Sequence, residues 1–288
     1  MPAVPFEAFF MSVDGTRPGH RFCIFHPAQG GATRGSVLYI HPFAEEMNKS
    51  RRMAAMQSRA FARAGYTVLQ IDLLGCGDSS DDFGDASWQA WVDDVQRGAN
   101  WLAERVRAPL WLWGLRAGCL LAVDAARNIS PTPDFIFWAP TSSGKLLLQQ
   151  FLRVKAAADM LEGSAKGAVA AMRQTLANGQ PIDIAGYTLS AELANGLEQS
   201  ALLPFDAPRG PTQPRIEWFE ISTAGNAEPS PVVQKSIANW RDRGFAVHCD
   251  MIVGPSFWQT SEIEDAPGLV VATTAAISVR RQSQEAAA

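Results

Sequence analysis

The residues of this chain best placed to do chemistry are Arg116 and the two glycines that flank it. The segment Gly114-Leu-Arg-Ala-Gly118 lies between two apolar stretches, which predicts a buried strand turning sharply into a buried helix. The glycines allow the tight turn and a close approach of the helix to the strand. In a G-x-S-x-G elbow the central residue is the nucleophile. Here that position holds Arg116, so ordinary serine chemistry is not expected.

Arg116 is not a nucleophile itself, because deprotonating a guanidinium at pH 7 costs about 7 kcal/mol or more. At the start of a helix it also faces the positive end of the helix dipole, an unfavourable placement of roughly 0.3–1 kcal/mol. We therefore expect a negative partner for Arg116. The sequence offers Glu45 or Glu46 from within the chain, and an anionic ligand would serve from outside.

Three interpretations of this charge pattern stay open. The first is an internal salt bridge that closes an inactive site. The second is a pocket that binds an anion or a carboxylate at the helix N-terminus. The third is a catalytic centre in which Glu45 or Glu46 acts as acid, base or nucleophile beside Arg116. Cys119, in helical register after the elbow, is a further candidate nucleophile, although buried packing is its more common role.

Strands and helices alternate around these residues, which predicts a mainly parallel, doubly wound α/β sheet with right-handed crossovers. The helix after the third strand is expected over residues 48–64. Residues 141–214 interrupt the alternation, and we predict that they form a helical cap insertion without a clear strand. The core domain then consists of residues 1–140 and 215–288.

Composition excludes several classes of protein. The chain has 288 residues, 47% of them hydrophobic, which is enough for one large α/β core with a cap. A formal net charge of −4 with dispersed basic residues argues against nucleic-acid binding. The longest apolar runs are too short for a membrane span. The four cysteines lack metal-site spacing, so we expect reduced thiols, a cytoplasmic protein, and neither a metal nor a cofactor.

Four motifs together resemble a known family. In chain order they are His41-Pro-Phe-Ala-Glu-Glu-Met-Asn-Lys-Ser-Arg-Arg-Met53, Asp72-Leu-Leu-Gly-Cys-Gly-Asp-Ser79, Gly114-Leu-Arg-Ala-Gly118 and Gly254-Pro-Ser-Phe-Trp258. The chain resembles the α/β-hydrolase superfamily over its full length, and within it the exosortase A system-associated hydrolases of type 2. The resemblance implies an α/β-hydrolase fold with a helical cap and a setting beside bacterial exopolysaccharide and protein-sorting systems. It does not define a substrate.

The resemblance also indicates where the site residues should lie. The family acid follows the seventh strand, where Glu228 is the available carboxylate. The family histidine follows the eighth strand, where this chain instead has Phe257 and Trp258, which we expect to form an apolar pocket wall. The oxyanion-binding N–H groups would come from Ala117 and from the loop that contains His41, Phe43 and Ala44.

Two functions from different classes follow. One is a non-triad, esterase-like hydrolase of a small ester, thioester or acylated glycan. The other is a catalytically inactive pseudo-hydrolase that binds an anionic ligand, or a partner protein of an exopolysaccharide or exosortase system.

Overall fold

A single eight-stranded sheet forms the centre of the molecule. The computed structural model describes residues 5–15, 18–31, 33–161, 167–208 and 212–285. The sheet order is β1-β2-β4-β3-β5-β6-β9-β10. Its strands are β1 (Glu7–Val13), β2 (Gly19–His26), β3 (Gly35–Ile40), β4 (Tyr66–Ile71), β5 (Leu110–Leu115), β6 (Asp134–Trp138), β9 (Arg215–Ser222) and β10 (Ala246–Val253).

Strands β1 and β2 pair antiparallel, β2 pairs antiparallel with β4, and all remaining neighbours are parallel. The central strands β3 and β6 are buried along their whole length, as expected for a sheet covered on both faces. The mainly parallel, doubly wound sheet predicted from the sequence is therefore confirmed. Parallel pairing also brings the carboxyl ends of β3, β5, β6 and β9 to one edge, where such sheets bind ligands.

Among the described residues, five α-helices flank or cover the sheet outside the insertion. They are α1 (Glu45–Arg63), α2 (Trp88–Arg105), α3 (Ala117–Ala126), α7 (Pro231–Asp242) and α8 (Pro267–Glu285), with a short 3₁₀ turn at Phe83–Asp85. One apolar cluster joins α1 and α8 to one face of the sheet, and a second joins α2 and α3 to the other. In α3 every residue except Asp124 is buried, so this helix lies inside the core.

Helix α1 begins at Glu45, three residues before the start predicted from the sequence. The early start has an electrostatic reason, because Glu45 and Glu46 occupy the first turn, where the helix dipole stabilises negative charge. The shift matters for function. Both carboxylates now lie on a rigid helix that starts directly after β3, rather than in a loop.

The insertion contains helices α4 (Gly144–Leu161), α5 (Ala168–Ala177) and α6 (Ala191–Gln199). It also contains an antiparallel hairpin of β7 (Ile182–Ile184) and β8 (Tyr187–Leu189), so the prediction that no strand occurs here was wrong. Each strand has only three residues, too few for a periodic signal, and the turn passes through Ala185 and Gly186 at positive φ. The domain boundaries stay a prediction.

The insertion packs into the core, because its buried leucines belong to the same apolar cluster as Trp91 of α2. Among the described residues, no helix combines the length and the apolarity that crossing a membrane requires.

Candidate functional site

The turn between β5 and α3 has the strained geometry that the glycine spacing predicts. Arg116 lies at φ 55° and ψ −115°, a region that L-residues rarely adopt. Its N–H donates to the Trp138 carbonyl at 3.0 Å, which ties the turn to the neighbouring strand β6. A Cβ at Gly114 would collide with the backbone of Gly118 and Cys119, and a Cβ at Gly118 with the Ile40 carbonyl. Only glycine fits at these two positions.

A second strained turn lies beside the first. Ala44 joins β3 to α1 at φ 50° and ψ −128°, and β3 is the sheet neighbour of β5. Within the described part of the chain, the backbone N–H groups of Phe43 and Ala117 have no hydrogen-bond acceptor. Two neighbouring turns thus leave free backbone donors at the carboxyl edge of the sheet, as an oxyanion hole requires.

With residues that the structure describes, the Arg116 side chain makes two hydrogen bonds and one cation–π contact. Its Nε donates to Glu46 Oε1 at 3.3 Å, and its Nη2 donates to Gln150 Oε1 of α4 at 3.2 Å. The guanidinium also lies over the Trp258 ring, 5.6 Å from the ring centroid. Of the two carboxylates predicted as internal partners, Glu46 forms the ion pair. The pair is largely buried, with 16% of the Arg116 side chain and 13% of the Glu46 side chain exposed.

Glu46 is the titratable group of this site with the most perturbed environment. Burial raises the pKa of its carboxyl to about 7, although the charge and hydrogen bond of Arg116 oppose the rise. Its Oε2 is buried without a hydrogen-bond donor, and so is Oε2 of Glu45. Glu46 is therefore close to half-ionised at neutral pH, as a general base or acid should be.

These side chains line a cavity of about 700 Å³ between the carboxyl edge of the sheet and α4. Its apolar lining residues are Phe43, Leu147, Phe151, Val154, Ala185 and Trp258. Its polar lining residues are Glu45, Glu46, Lys49, Arg116, Gln150 and Gln259. The size and the mixed lining are typical of a small-molecule site. Arg116, Glu45, Glu46, Phe43 and Trp258, all predicted from the sequence, are brought together here.

Other predicted residues lie outside the cavity lining. His41 is buried: its Nδ1–H donates to the Pro42 carbonyl at 2.8 Å, while its Nε2 accepts from Leu73 N–H at 3.2 Å. Burial lowers its pKa, so the ring is neutral and joins two loops.

Phe257 is fully buried and packs against Trp258, with 5.2 Å between the ring centroids. Glu228 is exposed in the loop after β9. Ala44 and Ala117 are buried and offer the site only their backbone.

The other nucleophile candidates do not face the cavity either. Cys119 is fully buried with its thiol against the Trp138 carbonyl, and burial raises the pKa of that thiol, so it stays protonated. None of the four histidines lines the cavity. Within the described residues, no group of three His, Cys, Asp or Glu side chains is arranged to hold a metal ion.

Sequence reasoning missed Gln150, Lys49 and Glu220. Gln150 comes from the insertion, and only the period of α4, with Leu147, Phe151 and Val154 on the same face, could have indicated it. Glu220 lies near the end of β9 and accepts from Trp218 Nε1 at 2.8 Å. Burial raises its pKa and the charge of Arg116 lowers it, so this carboxyl belongs to the electrostatic surroundings of Arg116.

Comparison with known proteins identifies the fold. No protein-family model matches the chain. A thermostable monoacylglycerol lipase from Bacillus sp. (strain H-257) is 32% identical over 92 residues, which span 32% of this chain and about a third (35%) of that lipase.

Solved structures match over nearly the full length. Est1E from Butyrivibrio proteoclasticus, solved with ferulic acid bound, is 12% identical with a TM-score of 0.65 and covers 96% of this chain and 99% of its own. A thermostable carboxyl esterase from Bacillus coagulans, in complex with glycerol, is 14% identical with a TM-score of 0.61 and covers 98% and 99%. The chain therefore has the α/β-hydrolase fold, with esterases and lipases among its structural neighbours.

Proposed function

We propose that this chain is an esterase-type hydrolase in which Glu46 acts as a general base that activates water. No residue at the elbow acts as a nucleophile. One observation carries the proposal. A carboxyl with a pKa of about 7 lines the cavity where this fold performs its chemistry, paired with a guanidinium and close to free backbone donors.

The reaction needs no covalent intermediate. Ionised Glu46 takes a proton from a water, and the water oxygen attacks the acyl carbon while the carbonyl electrons move to the carbonyl oxygen. When the tetrahedral intermediate collapses, the carbon–oxygen ester bond breaks. The leaving alkoxide then takes the proton from Glu46, which gives an alcohol and a carboxylic acid.

The strained turns and Arg116 supply the electrostatic part of catalysis. The N–H groups of Phe43 and Ala117 stabilise the negative oxygen of the intermediate, and the guanidinium adds positive charge beside it. Gln150 and Trp258 hold that guanidinium in place. Without a covalent nucleophile we expect slow turnover, since a positioned base contributes about 10²–10⁴-fold.

The resemblance to the exosortase A system-associated hydrolases supports a biological setting for this activity. The proposed substrate class is a small or glycan-linked acyl ester of a bacterial exopolysaccharide system, whose proteins are candidate partners. The four cysteines are free, as suits the reducing cytoplasm in which we place the protein.

The test is ester hydrolysis across pH 5–9 with p-nitrophenyl butyrate and with acylated extract components. We expect kcat/KM to rise through about pH 7 as Glu46 loses its proton, and Glu46→Gln to reduce it by about 100-fold. Glu104→Gln, an exposed Glu on α2, is the matched control. Unchanged activity in Glu46→Gln, or labelling by a serine-directed fluorophosphonate, would refute the mechanism. Loss of activity in Glu228→Gln would show that Glu228 acts as the catalytic acid, as the family resemblance indicates.

A second function is favoured by the contacts of Arg116 itself. The guanidinium occupies the elbow, and its Nη1 donates to no described residue, while Glu46 and Gln150 hold the other two nitrogens in place, which suits anion binding without turnover. This alternative predicts a thermal shift with small carboxylates or phosphates that Arg116→Ala abolishes, and no hydrolysis of any ester. Measurable turnover that depends on Glu46 would exclude it.

A further inference from the structure

The cavity has an apolar stripe that is built by one face of the cap helix α4. Leu147, Phe151 and Val154 are spaced i, i+4 and i+7, so their side chains form a stripe about 10 Å long. Phe43 faces this stripe, with its ring centroid 5.1 Å from that of Phe151. Val154, 44% exposed, lies at the open end of the stripe. An extended acyl chain fits such a surface, because each methylene group that is buried against apolar side chains adds to the binding free energy and needs no polar partner.

The other lining residues of the cavity are polar and carry both signs of charge. Glu45 and Lys49 lie one turn apart on α1, and Gln259 comes from the loop after β10. Glu45 forms no ion pair or side-chain hydrogen bond with any described residue, although it lines the cavity. An ionised carboxylate only accepts hydrogen bonds and a lysine only donates them. A neutral ligand group that both donates and accepts hydrogen bonds can therefore pair with Glu45 and with Lys49.

Charged headgroups fit these polar residues less well. A phosphate or carboxylate would face Glu45 and Glu46, while two of the three nitrogens of Arg116 are already engaged. An ammonium group would face Lys49 and Arg116. Hydroxyl groups are neutral, so neither the carboxylates nor the cations of the cavity repel them.

We infer that the substrate is an ester between an acyl chain and a polyhydroxyl alcohol, with the chain along α4 and a free hydroxyl donating to Glu45. This inference rests on the proposed function, because the scissile ester must lie beside Glu46, with the acyl chain on the α4 stripe and the alcohol near Glu45. Glycerol and a sugar offer the same chemistry, and the substrates below separate them.

The experiment compares kcat/KM for monooctanoylglycerol, 6-octanoylglucose, ethyl octanoate and monoacetylglycerol. We expect both octanoyl polyol esters to exceed ethyl octanoate, and the better of the two identifies the polyol. In Glu45→Gln the ratio of monooctanoylglycerol to ethyl octanoate should fall about five-fold, the difference between a charged and a neutral hydrogen-bond acceptor. Equal rates for ethyl octanoate and both polyol esters, or an unchanged ratio in Glu45→Gln, would overturn the assignment of the headgroup.

A matched pair of substitutions on α4 tests where the acyl chain binds. Val154→Gln should raise KM for monooctanoylglycerol about five-fold more than KM for monoacetylglycerol, since a partly buried methyl-bearing side chain is lost. Leu146→Gln alters a residue of similar exposure, 49%, that does not line the cavity, and should change neither KM. Equal effects of the two variants would overturn the acyl assignment.

Failure of the substrate inference is distinguishable from failure of the proposed function. If no ester is hydrolysed, the proposed function fails. Calorimetric titration of monooctanoylglycerol into the wild-type protein then decides about the ligand. Binding that weakens in Val154→Gln but not in Leu146→Gln supports the assigned ligand class, and no binding overturns it. Hydrolysis without a preference for polyol esters overturns the inference alone.

Discussion

Two carboxylate–guanidinium clusters in this molecule show how differently a fold can treat the same chemical pair. Asp94 of α2 accepts from Arg21 Nε at 2.6 Å, from Arg97 Nη1 at 2.9 Å and from Leu74 N–H at 2.8 Å. Its side chain is 1% exposed. Burial raises the pKa of this carboxyl, and its three donors oppose that rise.

Among the described residues, the Glu46 side chain has one donor, at 3.3 Å, as well as an unsatisfied Oε2 and an open cavity beside it. The Asp94 cluster is completed by the protein and joins β2, α2 and the loop after β4. The Glu46 cluster is left incomplete at the carboxyl edge of the sheet. A buried ion pair with all its donors holds structure, whereas one with missing donors is available to a ligand.

The largest effect that tests this contrast is expected for Asp94→Asn. The substitution leaves Arg21 buried without its counter-charge, which should cost about 3–5 kcal/mol of unfolding free energy. Urea denaturation at pH 7 measures it. A loss below that of Arg116→Ala would show that the two clusters do not differ in structural importance.

The next largest effect is the pH dependence that Glu46 imparts. Its pKa is about 7 in the folded protein, against an ordinary value of 4.5, so the folded state binds an extra proton between these pH values. This contribution to stability is fully present below about pH 4.5 and is lost as pH rises through 7, about 3 kcal/mol in all. Glu46→Gln removes the titration. It should be more stable than wild type at pH 8, and less stability there would contradict a raised pKa.

A smaller effect is expected for Arg116→Ala. The substitution removes a charge-assisted hydrogen bond and the positive charge beside Glu46, so it should destabilise the protein by about 1–2 kcal/mol at pH 8. At pH 5 the loss should be smaller, because Glu46 is then protonated and needs no counter-charge. Denaturation curves at both pH values test this prediction. An equal loss of unfolding free energy at both would show that Arg116 does not stabilise the ionised form of Glu46.

The smallest effect is expected for a pair exposed to solvent. Arg173 of α5 donates to Glu198 of α6 at 2.8 Å, with 33% of each side chain exposed. Arg173→Gln should cost less than about 1 kcal/mol, because water screens both charges. A larger loss in urea denaturation would mean that this cap pair, like Asp94, is part of the structural framework.

Part of the site followed from the sequence because its signals are local. The spacing of Gly114 and Gly118 is enough to predict the turn at Arg116, since no other residue fits where backbone segments touch. The need of Arg116 for a negative partner follows from elementary electrostatics, and the candidates for that partner were Glu45, Glu46 and an anionic ligand. The family resemblance added the expectation that Trp258 lies in the pocket wall.

Other parts could not be predicted because they depend on distant contacts. His41 has the residue type of a catalytic group, yet its backbone partners make it a structural one. Gln150 contacts Arg116 across 34 positions of sequence. The hairpin at residues 182–189 is too short to leave a periodic pattern.

The alternating α/β order, the elbow and the replacement of a nucleophile by Arg116 can be read from the amino-acid sequence, because backbone sterics and side-chain chemistry are properties of neighbouring residues. The pairing of Arg116 with Glu46 rather than Glu45, and the burial that brings the pKa of Glu46 to about 7, depend on the folded chain. Burial, counter-charge and an open cavity arise when α1, α3 and α4 meet at one edge of the sheet. Desolvation by those elements is a property of the assembled fold.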